Sequence, residues 1–372
     1  MLRRDGRRRL NVAIVAPTMG ILGGQAVQAD RLLRAWSADP DVQAWLVPVN
    51  PLPAQLLRPL VRIKYARTVV TQLAYWPLLE RELRRADVVH VFSASYFSFL
   101  LAPLPAVLVA KALGKPVVMN YRSGEAPDHL RRSAVARRVL RGVERNAVPS
   151  RFLHDVFATF GIQSEVIPNI VDLDRFAFRR RVPLRPHVLS TRNFEALYNV
   201  ACTLRAFRLV QNVHPGARLT LVGGGSQEPH LRALASQLGL RHVTFAGRVP
   251  PDDIWRYYAE ADIYLQTPNI DNMPASVLEA FASGCVVVST NAGGVPAILT
   301  DGIHGRLVDI DDHEAAAQRI LELLALPDFA ERLATAARES CERYRWDNVR
   351  TQWLDLYRGV LRRPAAIAAP AA

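Results

Sequence analysis

Cysteine is scarce in this chain. Its 372 residues hold three, Cys202, Cys285 and Cys341, with no C-x-x-C pair and no histidine cluster at metal-ligand spacing. That argues against a disulfide framework and a zinc site and for a reducing compartment. Long hydrophobic runs are missing too. The most apolar stretch, "FSFLLAPLPAVLVA" at 97–110, is too short to span a bilayer and contains Pro103 and Pro105. Met1 to Arg9 is basic, yet no apolar segment of signal-peptide type precedes "LNVAIVAP", so no secretory leader is expected. The expected location is cytoplasmic, at most peripheral on the inner face of a membrane. Complete phosphate-binding glycine motifs are absent as well. "MGILGG" has the wrong spacing for G-x-G-x-x-G, "LVGGGSQE" lacks the third glycine, and "ALGKPV" lacks the preceding Gly-x4 frame. These gaps argue against a nicotinamide dehydrogenase and a P-loop NTPase. No short-period repeat is present.

Acidic residues are short in one half only. Residues 1–185 carry 29 Lys+Arg against 14 Asp+Glu, whereas the remainder carries 18 against 20. An excess confined to the first half suits an anionic partner: a membrane surface, a phosphorylated substrate or nucleic acid. A solvated arginine-rich face is the plainer alternative. Two basic stretches stand out, "LLRPLVRIKYARTVVTQLAYW" (56–76), with Arg58, Arg62, Lys64 and Arg67 among Leu, Val, Tyr and Trp, and "LRRSAVARRVLRGVER" (130–145). Each reads as an amphipathic helix, lying either on an anionic bilayer or on the protein's own sheet.

The length favours two domains. "NVAIVAP" reads as a buried strand followed by a glycine-rich turn and a helix. The same pattern recurs around "VVHVFSA", "PVVMNYRSG", "HVLSTRN", "LTLVGGG", "HVTFAG", "DIYLQT" and "CVVVST". Apolar runs without alternation, separated by helical segments, indicate an α/β chain with doubly wound parallel sheets. The clearest break is "RRRVPLRPH" (179–187), which divides the chain into two α/β units, 1–183 and 184–345. The end, 364–372, reads as a disordered low-complexity tail.

The densest chemistry lies in "NIDNMPASVLEAFASGCVVVSTNAGGVP" (269–296). Pro274 suits the first turn of a helix that ends at Gly284. The amides of Ala275, Ser276 and Val277 would then form an anion site at its N-terminus, with diphosphate the usual guest. Glu279, one turn further in, is placed to reach a ribose diol, and Asp271, ahead of the helix, to face the group beyond the phosphate. The plain alternatives are a helix cap at Asp271 and a solvent-exposed Glu279.

This stretch resembles the E-G-F-P-x4-E signature, the E-x7-E motif, of glycosyltransferase family 4, whose fold is GT-B. "LTLVGGGSQEPHLRALASQLGLRHVTFAGRVPPDDIWRYYAEADIYLQT" resembles that family's donor-domain run, and "GGVPAILTDGIHGRLVDIDD" the segment after its motif. "VIPNIVDLDRF" is similar to its interdomain element, "GILGGQAVQADRLLRAW" to its first glycine loop, and "RWDNVRTQWLDLYRGVL" to its C-terminal helix. The resemblance implies two Rossmann-like domains facing across a cleft: 1–183 for the acceptor, 184–345 for the donor, with 346–363 crossing back to the first. It implies retaining transfer of a sugar from a nucleotide-diphosphate sugar to a hydroxyl of a glycan or lipid-linked acceptor, in envelope or exopolysaccharide synthesis, with no cofactor, no metal and no nucleic acid. An anionic membrane surface is a further partner that the basic first half suits. Glu279 is carried over to the ribose, Asp271 to the donor sugar, and Arg192 of "STRNFE" to the phosphate. Main-chain atoms near Asn272, Met273, Pro274 and Ala275 are carried over to sugar and phosphate, Val249 to the base, and Gly23 and Gly24 to close approach of the diphosphate.

Departures from the family pattern are visible. The first acid is Asp271 rather than Glu, "DNMP" replaces E-G-F-P, and Leu197 stands where the family places a lysine. Arg122 in "NYRSGE" takes the place of a histidine near the reacting sugar, and arginine cannot serve as a general base near neutral pH. Three alternatives to the transferase reading remain: an inactive GT-B scaffold, a sugar-nucleotide epimerase, whose expected histidines are not evident, and a basic nucleic-acid- or membrane-binding protein, which leaves the acid pair without a role.

Overall fold

The structure, a computed structural model, describes residues 9–20, 23–51 and 64–362. It forms two compact units, one from the chain up to Ile170 together with the chain from Val349, the other from Val171 to Asn348.

The first unit holds six parallel strands: β1 Leu10–Ala16, β2 Val42–Pro48, β3 Val88–Phe92, β4 Val117–Asn120, β5 Arg145–Val148 and β6 Glu165–Val166, in the order β2-β1-β3-β4-β5-β6. Val12 to Ala16 and Val88 to Phe92 are buried residue after residue, as a sheet covered on both faces requires. The second unit repeats the plan with β7 His187–Ser190, β8 Arg218–Val222, β9 Val243–Gly247, β10 Ile263–Gln266, β11 Val286–Thr290 and β12 Arg306–Val308. Its order is β12-β11-β10-β7-β8-β9, also parallel. Counted from β7, this is the Rossmann order 3-2-1-4-5-6. Strand order reverses between β1 and β3 in the first unit and between β7 and β10 in the second. At such switch points the connections leave in opposite directions and open a crevice beyond the strand ends.

Three sequence expectations need correction. The unit boundary falls at Ile170/Val171, ahead of the arginine-rich stretch. Val171, Leu173 and Phe176 are buried in the second unit's core. Arg179, Arg181 and Arg185 converge on the buried carboxylate of Asp262, so this charged segment is anchored within the second unit and does not mark its edge. The stretch 130–145 is not one helix. Ala126–Arg132 stops at Ser133, whose backbone is extended and whose hydroxyl accepts from the Ala136 amide to start Ala134–Gly142. Leu130, Ala136 and Leu140 pack in the core while Arg131 and Arg132 pair outward with Asp128. Finally, β2, β5, β6 and β12 were not legible as strands: β6 has two residues, β12 three, and β2 is a partly exposed edge. Residues 364–372 lie outside the described residues, as do Arg58 and Arg62.

The helix Trp346–Arg362 joins the first unit from Val349 onward. It buries Trp353 and Tyr357 there, and Arg350 grips Asp39 through Nε and Asp41 through Nη2, the latter at 2.6 Å. Burial alone would raise the Asp39 pKa. The bond and charge of Arg350, with the Asp41 and Val42 amides, outweigh it and hold the carboxyl below its ordinary value. A depressed folded-state pKa contributes stability that is present above the unfolded value and is lost as pH falls through the folded one. Protection of Val349–Arg362 from hydrogen exchange is therefore expected to hold from pH 7 to about 4.5 and to fall below about 4. In Asp39→Asn the Asp39-linked part of that acid step should vanish.

Candidate functional site

The second unit's switch point is built from the ends of β7 and β10. Thr191 and Arg192 follow β7, and the loop from Thr267 to Pro274 follows β10. Pro274, at φ −66°, stands at the N-cap position, and the helix runs Ala275–Ser283 to Gly284 in the left-handed conformation. Its first turn presents the Ala275 and Ser276 amides without an acceptor among the described residues. The Val277 amide, expected to be available, donates instead to the Pro274 carbonyl at 3.2 Å.

Arg192 is 9% exposed. Its Nη2 donates to Asp271 Oδ2, its Nη1 to Ser276 Oγ at 3.1 Å, and its Cζ lies 4.1 Å from the centre of the Tyr198 ring. Nε is buried with no partner among the described residues. Burial disfavours the charge, but Asp271 outweighs it and holds the guanidinium above its ordinary pKa. Asp271 is no helix cap: its Oδ1 accepts from the Asn272 amide at 2.8 Å, and its other oxygen belongs to Arg192. Glu279 is not solvent-exposed either. At 7% exposure it sits beside the Tyr258 hydroxyl, whose pKa is raised by burial first and by Glu279 second. Tyr258 also hydrogen-bonds with Thr191 Oγ1 at 2.7 Å and donates to the Ser276 carbonyl at 3.2 Å. A buried cation, two carboxylates of restricted exposure and a helix N-terminus thus meet at one point. Such a set can hold a diphosphate and the hydroxyls on either side of it.

Glycine shapes this site by allowing backbones to touch. A Cβ at Gly294 would stand 1.8 Å from the Asn272 carbonyl oxygen, and the Gly294 amide donates to the Asp271 carbonyl at 3.0 Å. At Gly223, φ is +151° and a Cβ would stand 2.0 Å from the Arg192 carbonyl oxygen. The "GGGS" run after β8 therefore seats the Arg192 loop.

Sequence reasoning brought Arg192, Asp271, Asn272, Pro274, Ala275 and Glu279 to the same place. Met273 is there through its backbone, since its side chain lies in the core. Val249 follows β9, half-buried against the same core cluster. Leu197 lies in a short 3-10 turn, its carbonyl accepting from the Asn269 amide at 2.9 Å. Gly23, Gly24 and Arg122 belong to the first unit. Gly23 precedes the helix Gly24–Ser37 with extended backbone, and a Cβ on either glycine would meet nothing within 4 Å among the described residues. Arg122 follows β4, donates to Asn120 Oδ1 at 3.3 Å and lies over the Phe92 ring, with burial drawing its pKa down to about 9. Missed were Thr191, Tyr198, Tyr258 and the hydroxyl of Ser276, whose amide alone was expected at the site. Thr191 adjoins Arg192 and Ser276 sits in the helix's first turn, so adjacency was an available signal. Nothing local marked Tyr258, which arrives from the Trp255–Glu260 helix.

Comparisons with known proteins agree on the kind of chain this is. The family model described as Glycosyltransferase Family 4 matches residues 22–175, and that described as Glycosyl transferases group 1 matches residues 176–340. A GDP-mannose-dependent alpha-(1-6)-phosphatidylinositol monomannoside mannosyltransferase of Mycobacterium tuberculosis is 29% identical over 248 residues, 61% of this chain and 64% of that protein. The chain thus spans just under two thirds of the length of such relatives. Sucrose-phosphate synthase from Thermosynechococcus elongatus superposes with a TM-score of 0.77 at 18% identity, covering 95% of this chain and 99% of that one. The Anabaena protein HepE, solved with UDP-glucose, gives 0.75 at 15% identity, covering 94% and 100%. At these identities the structures speak for the fold, two Rossmann-like units of GT-B type.

Proposed function

Because the chain belongs to the family 4 glycosyltransferases, we propose that it transfers a sugar, with retention and without a metal, from a nucleoside-diphosphate sugar to the hydroxyl of a lipid-linked or glycan acceptor. The observation that carries this is the buried Arg192–Asp271 pair beside buried Glu279 at the N-terminus of Ala275–Ser283. As the bond between the sugar carbon and phosphate breaks, negative charge grows on the diphosphate. Arg192 and the first-turn amides are already in place to meet it, which is where preorganised charge lowers a barrier most. Asp271, released from part of its bond to Arg192 by the arriving phosphate, is then available to the sugar's hydroxyls. The acceptor attacks the same face that the phosphate leaves, and the leaving phosphate takes the acceptor's proton. Arg122, protonated at neutral pH, is not available as a general base.

Calorimetry with UDP, GDP, ADP and NAD, chelator present, tests the donor half. One nucleoside diphosphate should bind, and Glu279→Ala should weaken it tenfold or more by removing the ribose contact, about 1.4 kcal/mol or above. Binding of none of them, or equal binding by the variant, would sink this reading.

A bilayer location has its own support. On the helix Lys64–Leu83, Val70, Tyr75 and Leu79 are buried, yet Val69, Leu73 and Trp76 form an exposed apolar row at i, i+4 and i+7. The helix Pro103–Ala112, packed beside it, exposes Leu108. With the basic excess of the first half, this face suits an anionic bilayer. No helix among the described residues is long and apolar enough to cross a membrane. The protein should float with phosphatidylglycerol vesicles and not with phosphatidylcholine ones. Leu73→Glu should reduce flotation several-fold, and equal flotation with both lipids would remove the case.

A further inference from the structure

Within the first unit, the short helix Tyr96–Leu101 follows β3 and precedes Pro103–Ala112. Its ends are fastened and its outer face is bare. At the far end Gln72 donates to the Leu101 carbonyl at 2.9 Å and the Tyr75 hydroxyl to the Ala102 carbonyl at 3.1 Å, which ties it to Lys64–Leu83. Phe99 is fully buried in the core. Phe97 and Leu100, three positions apart and so on one face, are exposed, Phe97 at 66%. The near end is strained. Tyr96 has φ +53°, a left-handed conformation that bulky residues rarely adopt. A turn that needed only this backbone would carry glycine or asparagine. Tyr96 is held there because its ring lies 5.3 Å from that of His129 and its hydroxyl donates to Asp128 Oδ2 at 2.9 Å. Strain that surrounding contacts enforce is found where a conformation serves function. Phe97 is the next residue, so the same contacts fix where its ring emerges.

The neighbouring charge is positive. Between Ala126 and Gly142 five arginines stand against one acid, Asp128. Its Oδ1 accepts from Arg131 Nη2 at 2.6 Å and from Arg132 Nε at 2.9 Å, and both arginine side chains remain largely exposed. Ala134–Gly142 repeats the pairing of apolar and basic groups by exposing Val135 and Arg138. Exposed apolar rings beside long cationic side chains fit an interface of lipid and water. The rings enter the acyl boundary, and the arginine stems lie along it with their guanidiniums at the phosphates. The helices tied or packed to this one, Lys64–Leu83 and Pro103–Ala112, carry the exposed apolar residues already assigned to a bilayer.

We propose that Tyr96–Leu101 is an insertion element for an anionic bilayer, with Phe97 and Leu100 entering the acyl boundary and Arg131 and Arg132 binding lipid phosphates. The inference deepens the bilayer reading given above and rests on it. The three native cysteines are buried, so a polarity-sensitive thiol dye can be placed on the full chain at one position at a time. Phe97→Cys reports the proposed element, Leu73→Cys the row on Lys64–Leu83, and Val213→Cys, exposed on the second unit, serves as the blank. With vesicles of phosphatidylcholine and phosphatidylglycerol, emission from 97 and 73 should shift to the blue and emission from 213 should not. Pure phosphatidylcholine should move none of them. A shift at 73 without one at 97 would overturn the insertion element and leave the bilayer reading standing, whereas no shift at either would remove both. A shift at 97 that grows with protein concentration and needs no vesicles would give the face to a second copy of the chain. Arg131→Gln and Arg132→Gln should each weaken vesicle affinity about fivefold, while the double lysine variant should keep most of it. Unchanged affinity in the double glutamine variant would overturn the phosphate contacts.

Discussion

Asp271→Ala is expected to lower donor turnover by about 10²–10³-fold and to destabilise the second unit at the same time. The two losses have separate causes. For catalysis, the carboxylate aligns Arg192 and, on the proposed function, would meet the sugar's hydroxyls, so its removal should misplace the charge proposed to stabilise the leaving diphosphate. For stability, Arg192 is 9% exposed, and Asp271 is the carboxylate paired with it. Without Asp271, the burial that already disfavours the guanidinium's charge would act unopposed. Stripping one partner from a buried ion pair costs about 3–5 kcal/mol. The bond to Ser276 and the contact with Tyr198 survive the substitution, which places the expectation toward the low end. Asp271→Asn keeps the shape and an acceptor oxygen, so it should recover part of the stability and little of the turnover. Urea unfolding beside a nucleoside-diphosphate release assay reads both. A variant that unfolds and turns over like the parent would show that the pair is incidental.

Gly294→Ala should be nearly as damaging although it removes nothing. The added methyl would lie 1.8 Å from the carbonyl oxygen and 2.8 Å from the carbonyl carbon of Asn272. Both obstacles are backbone, so no rotamer change relieves them and the loop carrying Asp271 must move. Overpacking of this kind costs about 1–3 kcal/mol or more. Displacement of Asp271 from Arg192 should weaken nucleoside-diphosphate binding tenfold or beyond. Gly24→Ala is the control, because none of the described residues lies within 4 Å of the position where its Cβ would stand. It should leave unfolding unchanged, and any loss of donor binding it causes would mark a ligand approaching that glycine. Equal unfolding curves for Gly294→Ala and the parent would contradict the close approach.

The parts of this molecule that sequence reading recovered are those encoded by neighbours in the chain. The uninterrupted apolar strands such as Val286–Thr290, the proline–glycine bracket of Ala275–Ser283 and the acids at 271 and 279 all lie within reach of a short window. What escaped depends on distance along the chain. Asp262, with the carbonyls of Tyr258, Ala261 and Ser283, anchors Arg179, Arg181 and Arg185, and no local pattern points from one to the others. Ser133 ended one helix and began another because its hydroxyl found the Ala136 amide, a choice that a run of helix-forming neighbours conceals. Tyr258 joined Glu279, and Tyr357 joined His90, through topology.

The discontinuous first unit also has a consequence for biosynthesis. The second unit is one unbroken segment, Val171–Asn348, made before the part of the first unit that begins at Val349. The first unit, though begun earlier, is not complete by then: Trp353, Tyr357 and Arg350, which cover His90 and neutralise Asp39, are made only after the whole second unit. Until they arrive, a buried carboxylate lacks its arginine and the imidazole lacks its aromatic cover. The nascent chain therefore passes through an interval in which the first unit is unsealed although all of the second has been made, and chaperone demand should fall in that interval.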